Sequence, residues 1–475
     1  MRTLTIFFSF ISLLLLLSCR TEKAHDIVFA GGTVYNPETG LADVLNVGII
    51  DDKIVQLSRK SLKGKRIIDI RGLALSPGFI DLHVHGTTLL ENQYQVHDGV
   101  TTALDLEFGT TSIDNFIRQR TDSSLVNFGA SAAYGILRMM AADGSLKPSL
   151  EKGALVLPAD IRLGNESVEK AKNLVREQVA RGALGIGVPI GYFPSAARSE
   201  TYEVYKLAKE LGVPVFSHIR MGRALAVQQV LADAMTTGAS LHIVHINSSS
   251  GDEVDLTLEM IGNARKQGFD ITTEVYPYTA GSTDIASAIF QPGWQENLGV
   301  TYNDLQWVET GERLMEESFN RYRQTGGIVI VHQMQPDWIR RAIQSPLTMI
   351  ASDGMKYSRL AHPRTAGTFS RILAKYVREG QVLSLSEALA KMTIMPARRL
   401  EAIAPDMKKR GRICVGCYAD ITVFDPATIT DRATFDEGLK FSEGIHYVMV
   451  NGMLVIDEGK LVPHVFPGRV IQGGR

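Results

Sequence analysis

The chain has 475 residues, of which 45% are hydrophobic, and its formal net charge is −1. This length is enough for a large buried core and predicts two or three domains, although a single α/β barrel with additions also reaches it. The balanced charge and ordinary hydrophobic content exclude an intrinsically disordered chain and argue against a nucleic-acid-binding protein.

The N-terminus is typical of a secretory signal. Arg2 gives it a positive start, residues 4–17 form an apolar stretch, and Cys19 follows shortly after. The stretch is too short for a comfortable membrane span. The tetrapeptide Leu-Leu-Ser-Cys that ends at Cys19 resembles a bacterial lipobox, which predicts a lipoprotein signal peptide at 1–18 and lipidation of Cys19. Lipidation would anchor the protein at the bacterial cell envelope, on a periplasmic or outer-membrane face; ordinary signal cleavage nearby is the alternative.

Short strand-like segments lie at both ends of the remaining chain. Residues 25–76 contain apolar runs and a hairpin about Asp51-Asp52, and residues 412–470 contain a further strand and a hairpin about Asn451-Gly452. Neither end has enough strands to bury a face by itself. We therefore expect the two ends to pair into one small β-sandwich domain.

Between these ends, residues 77–411 alternate short apolar runs with helical patterns. The candidate strands are 80–85, 102–106, 129–134, 184–188, 215–218, 242–246, 271–275, 328–332 and 349–353. Repeated strand–helix units imply parallel strands, and about eight of them predict an α/β fold with a (β/α)8 TIM-type barrel. Since nine runs qualify, at least one of them is surplus.

The first of these runs ends in His83-Val84-His85. Successive side chains of a strand point to opposite faces, so His83 and His85 share a face and can hold one metal ion. Imidazole is a common metal ligand and suits zinc. This pair predicts a metal-dependent hydrolase whose other ligands lie further along the chain.

Polar residues recur at the carboxyl ends of later strands, where barrel enzymes place their active sites. They are Glu107, His218, His245 and Asp353. Histidine ligands would let a cation lower the pKa of its bound water, and Asp353 would take the proton of that water and pass it to the leaving amine. His242 precedes His245 by three positions, so in a strand we expect it to face away from the site.

A series of motifs in the central and C-terminal chain resembles the amidohydrolase superfamily, and more narrowly the N-acyl-D-amino-acid deacylases (D-aminoacylases). These motifs are Pro77–His85, Gly99–Thr102, Gly182–Gly185, Ser217–Arg220, Tyr276–Thr283, Ala351–Gly354, His362–Arg364 with Gly367–Phe369, and Gly416–Ile421. They follow the order of the family and cover nearly the whole chain beyond the signal.

The resemblance implies a barrel with a small β-sandwich from both termini and hydrolysis of a linear amide. It implies metal ligation by His83, His85, His218 and His245, with one or two divalent ions, zinc first. It also makes Asp353 the general acid/base.

For the substrate, a small acylated amine or amino acid, the resemblance suggests that Arg364 and Tyr278 hold its carboxylate. The planar fork of arginine suits this task because it binds a carboxylate in a bidentate manner; a structural salt bridge is the alternative for Arg364. His362, in the His-Pro-Arg motif, and Asn247, two residues after the last metal histidine, are further candidates for the substrate pocket.

The chain departs from the family at several positions. Family members commonly carry a metal-binding cysteine on the second barrel strand, whereas this chain has Glu107 there, with Asp105 on the same face as the fallback. An oxygen ligand hardens the site and favours a two-metal centre. Asn247 replaces a usual lysine and Tyr134 a usual histidine, and run 184–188 has no lysine to be carbamylated. The handedness of the substrate therefore stays open.

Two alternatives stay open on the sequence alone. The first keeps the site and changes the substrate, giving a cyclic amidase of the dihydroorotase or hydantoinase type, or an acyl-dipeptide hydrolase. The second is a non-catalytic solute-binding lipoprotein on a degenerate barrel. A degenerate site, however, would be expected to have lost Asp353 or one of the histidines.

Overall fold

A computed structural model of the chain describes residues 24–143, 160–356 and 361–474. The predicted signal peptide at 1–18 and Cys19 lie outside these ranges. Among the residues that the structure describes, no helix is both long enough and apolar enough to cross a lipid bilayer.

Strands and helices alternate through most of the described chain. The strands are β1 (His25–Asn36), β2 (Leu41–Ile50), β3 (Lys53–Ser58), β4 (Gly64–Asp69), β5 (Ala74–Pro77), β6 (Phe79–Asp81), β7 (Val100–Thr110), β8 (Asn127–Ala133), β9 (Ile186–Pro189), β10 (Val215–His218), β11 (Leu241–Ile243), β12 (Ile271–Val275), β13 (Gly281–Asp284), β14 (Leu305–Trp307), β15 (Ile328–Val331), β16 (Thr348–Ile350), β17 (Ile421–Phe424), β18 (Ile445–Val450), β19 (Met453–Asp457) and β20 (Lys460–Leu461). The α-helices are α1 (Leu89–His97), α2 (Ile113–Arg120), α3 (Tyr134–Ala142), α4 (Asn165–Ala180), α5 (Arg198–Leu211), α6 (Ala224–Thr237), α7 (Ile246–Ser250), α8 (Val254–Lys266), α9 (Trp294–Leu298), α10 (Glu316–Thr325), α11 (Pro336–Gln344), α12 (Arg364–Arg371), α13 (Leu385–Met392) and α14 (Ile394–Leu400).

Strands from both ends of the chain form one nine-stranded sheet in the order β20-β19-β18-β17-β5-β1-β2-β3, with β4 beside β1. The two ends meet where β5 pairs antiparallel with β17 and Leu75 lies opposite Val423. Buried apolar side chains such as Phe29 and Ile421 come from both ends of the chain and share one core. The expected pairing of the termini is therefore confirmed, while the domain boundaries at 76 and 412 stay a prediction.

Eight parallel strands form the barrel, in the order β16-β12-β11-β10-β9-β8-β7-β6. The ring closes beyond the ends of β6 and β16. There the amide of His85 donates to the carbonyl of Gly354 over 2.7 Å, and Val84 and Gly354 form an isolated parallel β-bridge. Asp81 reinforces this closure because its Oδ1 accepts hydrogen bonds from the amides of His83 and Ser352. The predicted α/β barrel is confirmed.

The apolar run at 328–332 is the surplus strand. It forms β15, which pairs antiparallel with β13 and β14 in a separate three-stranded sheet. A continuous apolar run is compatible with any buried strand, so periodicity alone does not distinguish a barrel strand from this one. Only the pairing of β15 with β13 and β14 shows that this strand lies outside the barrel.

Apolar side chains from several barrel strands form one buried cluster. Leu82, Leu104 and Phe216 pack there against Leu400 of α14, and each is at most 1% exposed. This packing leaves the carboxyl ends of the strands as the polar end of the barrel, which fits the general placement of active sites in such folds.

Candidate metal centre

The carboxyl ends of the barrel strands bring together six side chains that can bind a metal ion. His83 and His85 follow β6, Glu107 lies in β7, His218 ends β10, His245 follows β11, and Asp353 follows β16. Their ligand atoms form two groups, in each of which the atoms lie within 4.8 Å of one another: His83, His85, Glu107 and Asp353, and Glu107, His218 and His245.

The first group surrounds the Nε2 atoms of His83 and His85, which lie 3.1 Å apart. The Oε2 atom of Glu107 is 2.6 Å from His83 Nε2 and 3.2 Å from His85 Nε2. The Oδ1 atom of Asp353 is 3.5 Å from each of the two nitrogens. We call this group the first metal position.

The second group, which we call the second metal position, lies on the other side of the Glu107 carboxylate. The Oε1 atom of Glu107 is 2.9 Å from His218 Nδ1, and His218 Nδ1 is 3.0 Å from His245 Nε2. Glu107 thus turns one oxygen to each position, as a bridging carboxylate does. Asp105 lies outside both groups, since its Oδ1 accepts from the amide of Gly109 and is 3.7 Å from His85 Nδ1.

The donor set fits divalent ions. A tetrahedral ion with bonds of about 2.1 Å holds its ligand atoms about 3.4 Å apart, close to the spacings within both groups. Glu107 Oε1 is buried and accepts no hydrogen bond of good geometry, although His218 Nδ1 is near. Two atoms that face each other in this way without a hydrogen bond are well placed to share a cation. Imidazole and carboxylate ligands together suit zinc.

A second carboxylate supports the first metal position from behind, and sequence reasoning missed it. Glu274, in the middle of β12, accepts from His83 Nδ1 over 2.6 Å and from His242 Nε2 over 3.0 Å. Burial alone would raise the pKa of Glu274, but the two histidines lower that pKa to about 2. A signal was present in the sequence, since a lone acidic residue within the buried strand Ile271–Val275 needs a partner. His242 faces this carboxylate, which agrees with the expectation that it does not join His245.

Two residues of the centre have backbones in the left-handed region. The φ angle is +33° at His245 and +52° at Asp353, and neither residue is a glycine. Such conformations cost of order 1–3 kcal/mol and concentrate at functional sites. His245 lies two residues beyond the end of β11 and Asp353 three residues beyond the end of β16, so both turns come shortly after a barrel strand.

Asp353 also forms an ion pair with the side chain of Arg364. Its Oδ2 is 2.9 Å from Nη1 of Arg364, which begins α12 and has a side chain only 1% exposed. Burial alone would raise the pKa of Asp353, but the Arg364 guanidinium and the neighbouring histidines hold that pKa well below its ordinary value. Asp353 is therefore ionised and able to accept a proton at neutral pH.

The centre opens into a cavity of about 590 Å³. Its basic lining residues are Arg120, Arg220, Arg223, Lys356 and Arg364. Its acidic lining residues are Asp105, Glu107, Asp284 and Asp353. A bound divalent ion makes the net charge of this lining positive, even if Arg223, which pairs with Asp252, is set aside. The cavity therefore favours an anionic ligand.

Three predicted substrate-binding residues do not line the cavity, so these predictions need correction. The Tyr278 hydroxyl points to the Pro363 carbonyl and to Asp431, at 3.4 and 3.5 Å, and Tyr276 lines the cavity instead. Asn247 is fully buried and donates to the carbonyl of Tyr276 over 3.2 Å. Alternation along β12 ends at Val275, so the direction of a side chain in the following loop does not follow from strand periodicity.

His362 supports Arg364 rather than the substrate. Its Nδ1 accepts from the backbone amide of Arg364 over 3.1 Å, and its Nε2 donates to the carbonyl of Ala280 over 2.9 Å. The ring is buried behind the cavity wall. Of the four predicted substrate-binding residues, the structure places only Arg364 at the cavity.

Comparisons with known proteins agree with this geometry. Residues 74–455 match the model of the amidohydrolase family. The N-acyl-D-glutamate deacylase of Alcaligenes xylosoxydans xylosoxydans is 29% identical over 484 residues, which cover 95% of this chain and 97% of that protein. The D-aminoacylase of the same organism is 27% identical over 497 residues, with coverage of 92% and 96%.

The fold has solved counterparts as well. A crystal structure of N-acyl-D-glutamate deacylase from Bordetella bronchiseptica superposes with a TM-score of 0.80 at 24% identity, covering 95% of this chain and 100% of that one. That enzyme was crystallised with zinc and a phosphonate inhibitor that mimics the tetrahedral intermediate of its reaction. At this identity the likeness shows a shared fold.

Proposed function

This chain belongs to the amidohydrolase family, and from this premise we propose that it hydrolyses a linear amide bond in a small N-acylated amino acid. The family resemblance and the prediction of a hydrolase are confirmed by its relatives. The observation that carries the proposal is the convergence of four histidines on the two oxygens of Glu107, with Asp353 beside them.

The centre would hold one or two divalent ions, and zinc is the first candidate because the donors are imidazole and carboxylate. His83, His85 and Asp353 would serve the first metal position, His218 and His245 the second, and Glu107 both. When bound, such an ion supplies an activated water and polarises the amide carbonyl.

Asp353 is the proposed general acid/base. Its Oδ1 lies 3.5 Å from the Nε2 atoms of His83 and His85, so it borders the place where the activated water would be held; it would take a proton from that water and deliver it to the nitrogen of the leaving amine. Arg364 holds the other oxygen of the same carboxylate and so fixes its orientation during the transfer.

The proposed substrate carries a carboxylate. Arg364 lines the cavity, and its donors beyond the contact with Asp353 can bind that group. The positive lining and the deacylase relatives both support an N-acyl amino acid, and the relatives favour the D form. A cavity of about 590 Å³ exceeds the needs of an acetyl group and leaves room for larger acyl groups.

The experiment compares three substrate classes with purified protein, with and without a chelator. N-acyl-D-amino acids are expected to be hydrolysed faster than their L forms and than cyclic imides, and chelation is expected to abolish the activity. Faster opening of a cyclic imide would support the cyclic-amidase alternative. Tight binding of metal and ligand with no turnover of any class would support the solute-binding alternative.

The location of the protein is a separate proposal. The lipobox-like end of the signal stretch supports lipidation of Cys19 and anchoring to a membrane of the bacterial cell envelope. The Cys19→Ala variant is then expected to lose incorporation of labelled fatty acid and to leave the membrane fraction. Retention of the label by that variant would exclude Cys19 as the modified residue.

A further inference from the structure

We propose that Arg120 binds a second carboxylate of the substrate, at the far end of its acyl group, so that the acyl group is that of a dicarboxylic acid such as succinic acid. This inference rests on the proposed hydrolysis of N-acyl amino acids and adds the class of acyl group to it. Hydrolysis of an N-succinyl amino acid consumes one water and releases succinate and the free amino acid.

One wall of the cavity comes from a single segment, which comprises the end of β7 and helix α2. Apart from Gly109 and Phe116, the cavity-lining residues of this segment are polar: Thr110, Thr111, Ser112, Asn115, Gln119 and Arg120. Hydroxyl and amide groups can donate hydrogen bonds to an anion, and Arg120 adds a full positive charge. This wall therefore suits a negatively charged group better than a hydrocarbon chain.

Arg120 is the last residue of α2, and its guanidinium has donors to spare. Its Nη1 donates to the carbonyl of Phe116 over 3.1 Å, and its Nη2 donates to the hydroxyl of Thr87. The guanidinium also lies over the Phe116 ring, 3.7 Å from its centroid. The Nε atom is buried and has no hydrogen-bond partner. Since a guanidinium carries five N–H donors, several remain for a ligand.

In the described part of the chain, no carboxylate forms an ion pair with Arg120. Burial lowers the pKa of Arg120, and Asp105 is the acidic side chain that opposes this shift. Asp105 is itself engaged, because its Oδ1 accepts from the amide of Gly109 over 2.9 Å. Charged side chains are seldom buried without a partner, so a partly buried cation in the wall of a cavity marks a binding site for an anion.

The first metal position lies between Arg364 and Arg120. On one side, Asp353 contacts Arg364 through Oδ2, and its Oδ1 is 3.5 Å from His85 Nε2. On the other side, His85 Nδ1 is 3.7 Å from Asp105, the acidic neighbour of Arg120. A substrate whose α-carboxylate binds Arg364 and whose amide reaches this metal position therefore extends its acyl group toward Arg120.

Lys356 supplies a second positive charge close to Thr87. The amide of Gly86 donates to the carbonyl of Gly354 over 3.1 Å, so the loops that carry Thr87 and Lys356 run side by side. Both of these residues line the cavity, and Lys356 is exposed. A carboxylate that reaches Thr87 would thus meet a cation from α2 and another from the loop after β16.

The proposal is tested with two substrates that differ only in the charge at the end of the acyl group, the N-succinyl and N-succinamoyl forms of the same D-amino acid. The wild type is expected to show a kcat/KM about 10- to 100-fold higher for the N-succinyl form, since a hydrogen bond to a charged group is worth that much. In Arg120→Gln this preference is expected to disappear through a fall for the N-succinyl form alone. In the matched control Arg265→Gln, which changes an exposed arginine in the last turn of α8, it is expected to remain.

A binding measurement and a second variant separate recognition from folding. Succinate is titrated into the protein by calorimetry, and its affinity is expected to fall about 10- to 100-fold in Arg120→Gln and to stay unchanged in Arg265→Gln. Arg120→Lys, which retains the charge, is expected to keep part of the preference for the N-succinyl form. Thermal unfolding of each variant shows whether the loss of the contacts with Phe116 and Thr87 has altered the fold.

The outcomes separate this proposal from the proposed function. Equal kcat/KM of the wild type for the two forms, or an equal loss for both in Arg120→Gln, would overturn the role of Arg120 and leave it as a cap of α2. A selective loss in Arg120→Gln for N-acetyl-D-glutamate over N-acetyl-D-glutamine would assign Arg120 to the side chain of the amino acid and overturn the acyl assignment. Failure to hydrolyse any N-acyl amino acid would overturn the proposed function itself.

Discussion

Asp353 and Arg364 form a buried ion pair in which Oδ2 of the aspartate lies 2.9 Å from Nη1 of the arginine, while Oδ1 faces the histidines of the first metal position. One carboxylate thus contacts both the histidines of the first metal position and Arg364, the residue proposed to bind the substrate. The pair keeps Asp353 ionised in a buried place. If Arg364 binds the carboxylate of the proposed substrate, the scissile amide would lie near that carboxylate.

Asp353→Asn is expected to lower kcat by about 10²- to 10⁴-fold, since a positioned acid/base contributes roughly that much. Metal content is expected to remain, because the histidines and Glu107 supply most of the donors. Steady-state kinetics and elemental analysis on the same sample measure both quantities. Normal turnover in this variant would show that another group moves the proton.

Arg364→Lys is expected to raise KM for N-acyl amino acids about 10-fold or more, because lysine lacks the planar fork that binds a carboxylate at two points. The control is the matching substrate whose carboxylate is capped as an amide, for which the same variant should change KM little. If KM rises equally for the carboxylate substrate and for its amide-capped analogue, Arg364 acts only through Asp353 and does not bind the substrate.

Glu107→Ala is expected to reduce the metal content from two ions to one or none, because Glu107 supplies one oxygen to each metal position. Glu107→Cys replaces the carboxylate with a thiolate and is expected to increase the preference for softer ions such as Cd²⁺ over Mn²⁺. Competitive metal loading followed by elemental analysis measures this preference. Two tightly held zinc ions in Glu107→Ala would exclude the bridge.

His332 is expected to make stability depend on pH. Burial, and then the Arg313 cation, lower the pKa of His332 to about 4, whereas an unfolded histidine titrates near about 6.5. As the pH falls through this window, the unfolded chain binds a proton that the folded chain does not, so the contribution of His332 to stability is present above about pH 6.5 and is lost toward pH 4.

The measurement is the urea midpoint of unfolding across that pH window for the wild type and for His332→Asn. The variant removes the titrating group and retains an amide that can reach Gln306, which lies 3.0 Å from His332 Nε2. Its urea midpoint is expected to fall less steeply with acid. The same change at the exposed His464 is the matched control, and equal slopes in the two variants would contradict the assignment.

The group of candidate metal-binding residues could be predicted from the sequence because each of them lies at or near the end of a strand. His83, His218 and His245 are far apart in the chain, but parallel strands that close into a barrel gather their carboxyl ends at one rim. Glu107 could be predicted in the same way, since it directly follows the predicted strand 102–106.

The cavity wall could not be predicted in this way. Tyr278 and Asn247 lie in a loop and a short helix after strand ends, where neither alternation nor helical periodicity fixes the direction of a side chain.

Two further features depend on long-range contacts. The run at 328–332 is as apolar as a barrel strand, and only its long-range pairing shows that it lies outside the barrel. Glu274 could have been found, because a buried carboxylate within a strand needs a partner, but His83 and His242 are identified as its partners only by the fold.

The most direct test of the account is one sample of purified protein in which bound metal and amide hydrolysis are measured together, before chelation, after chelation, and after zinc is restored. The account predicts that removal of the metal lowers hydrolysis of an N-acyl-D-amino acid by at least about a hundredfold, since metal activation is worth several kcal/mol, and that zinc restores it. Full hydrolysis by protein freed of metal would contradict the account.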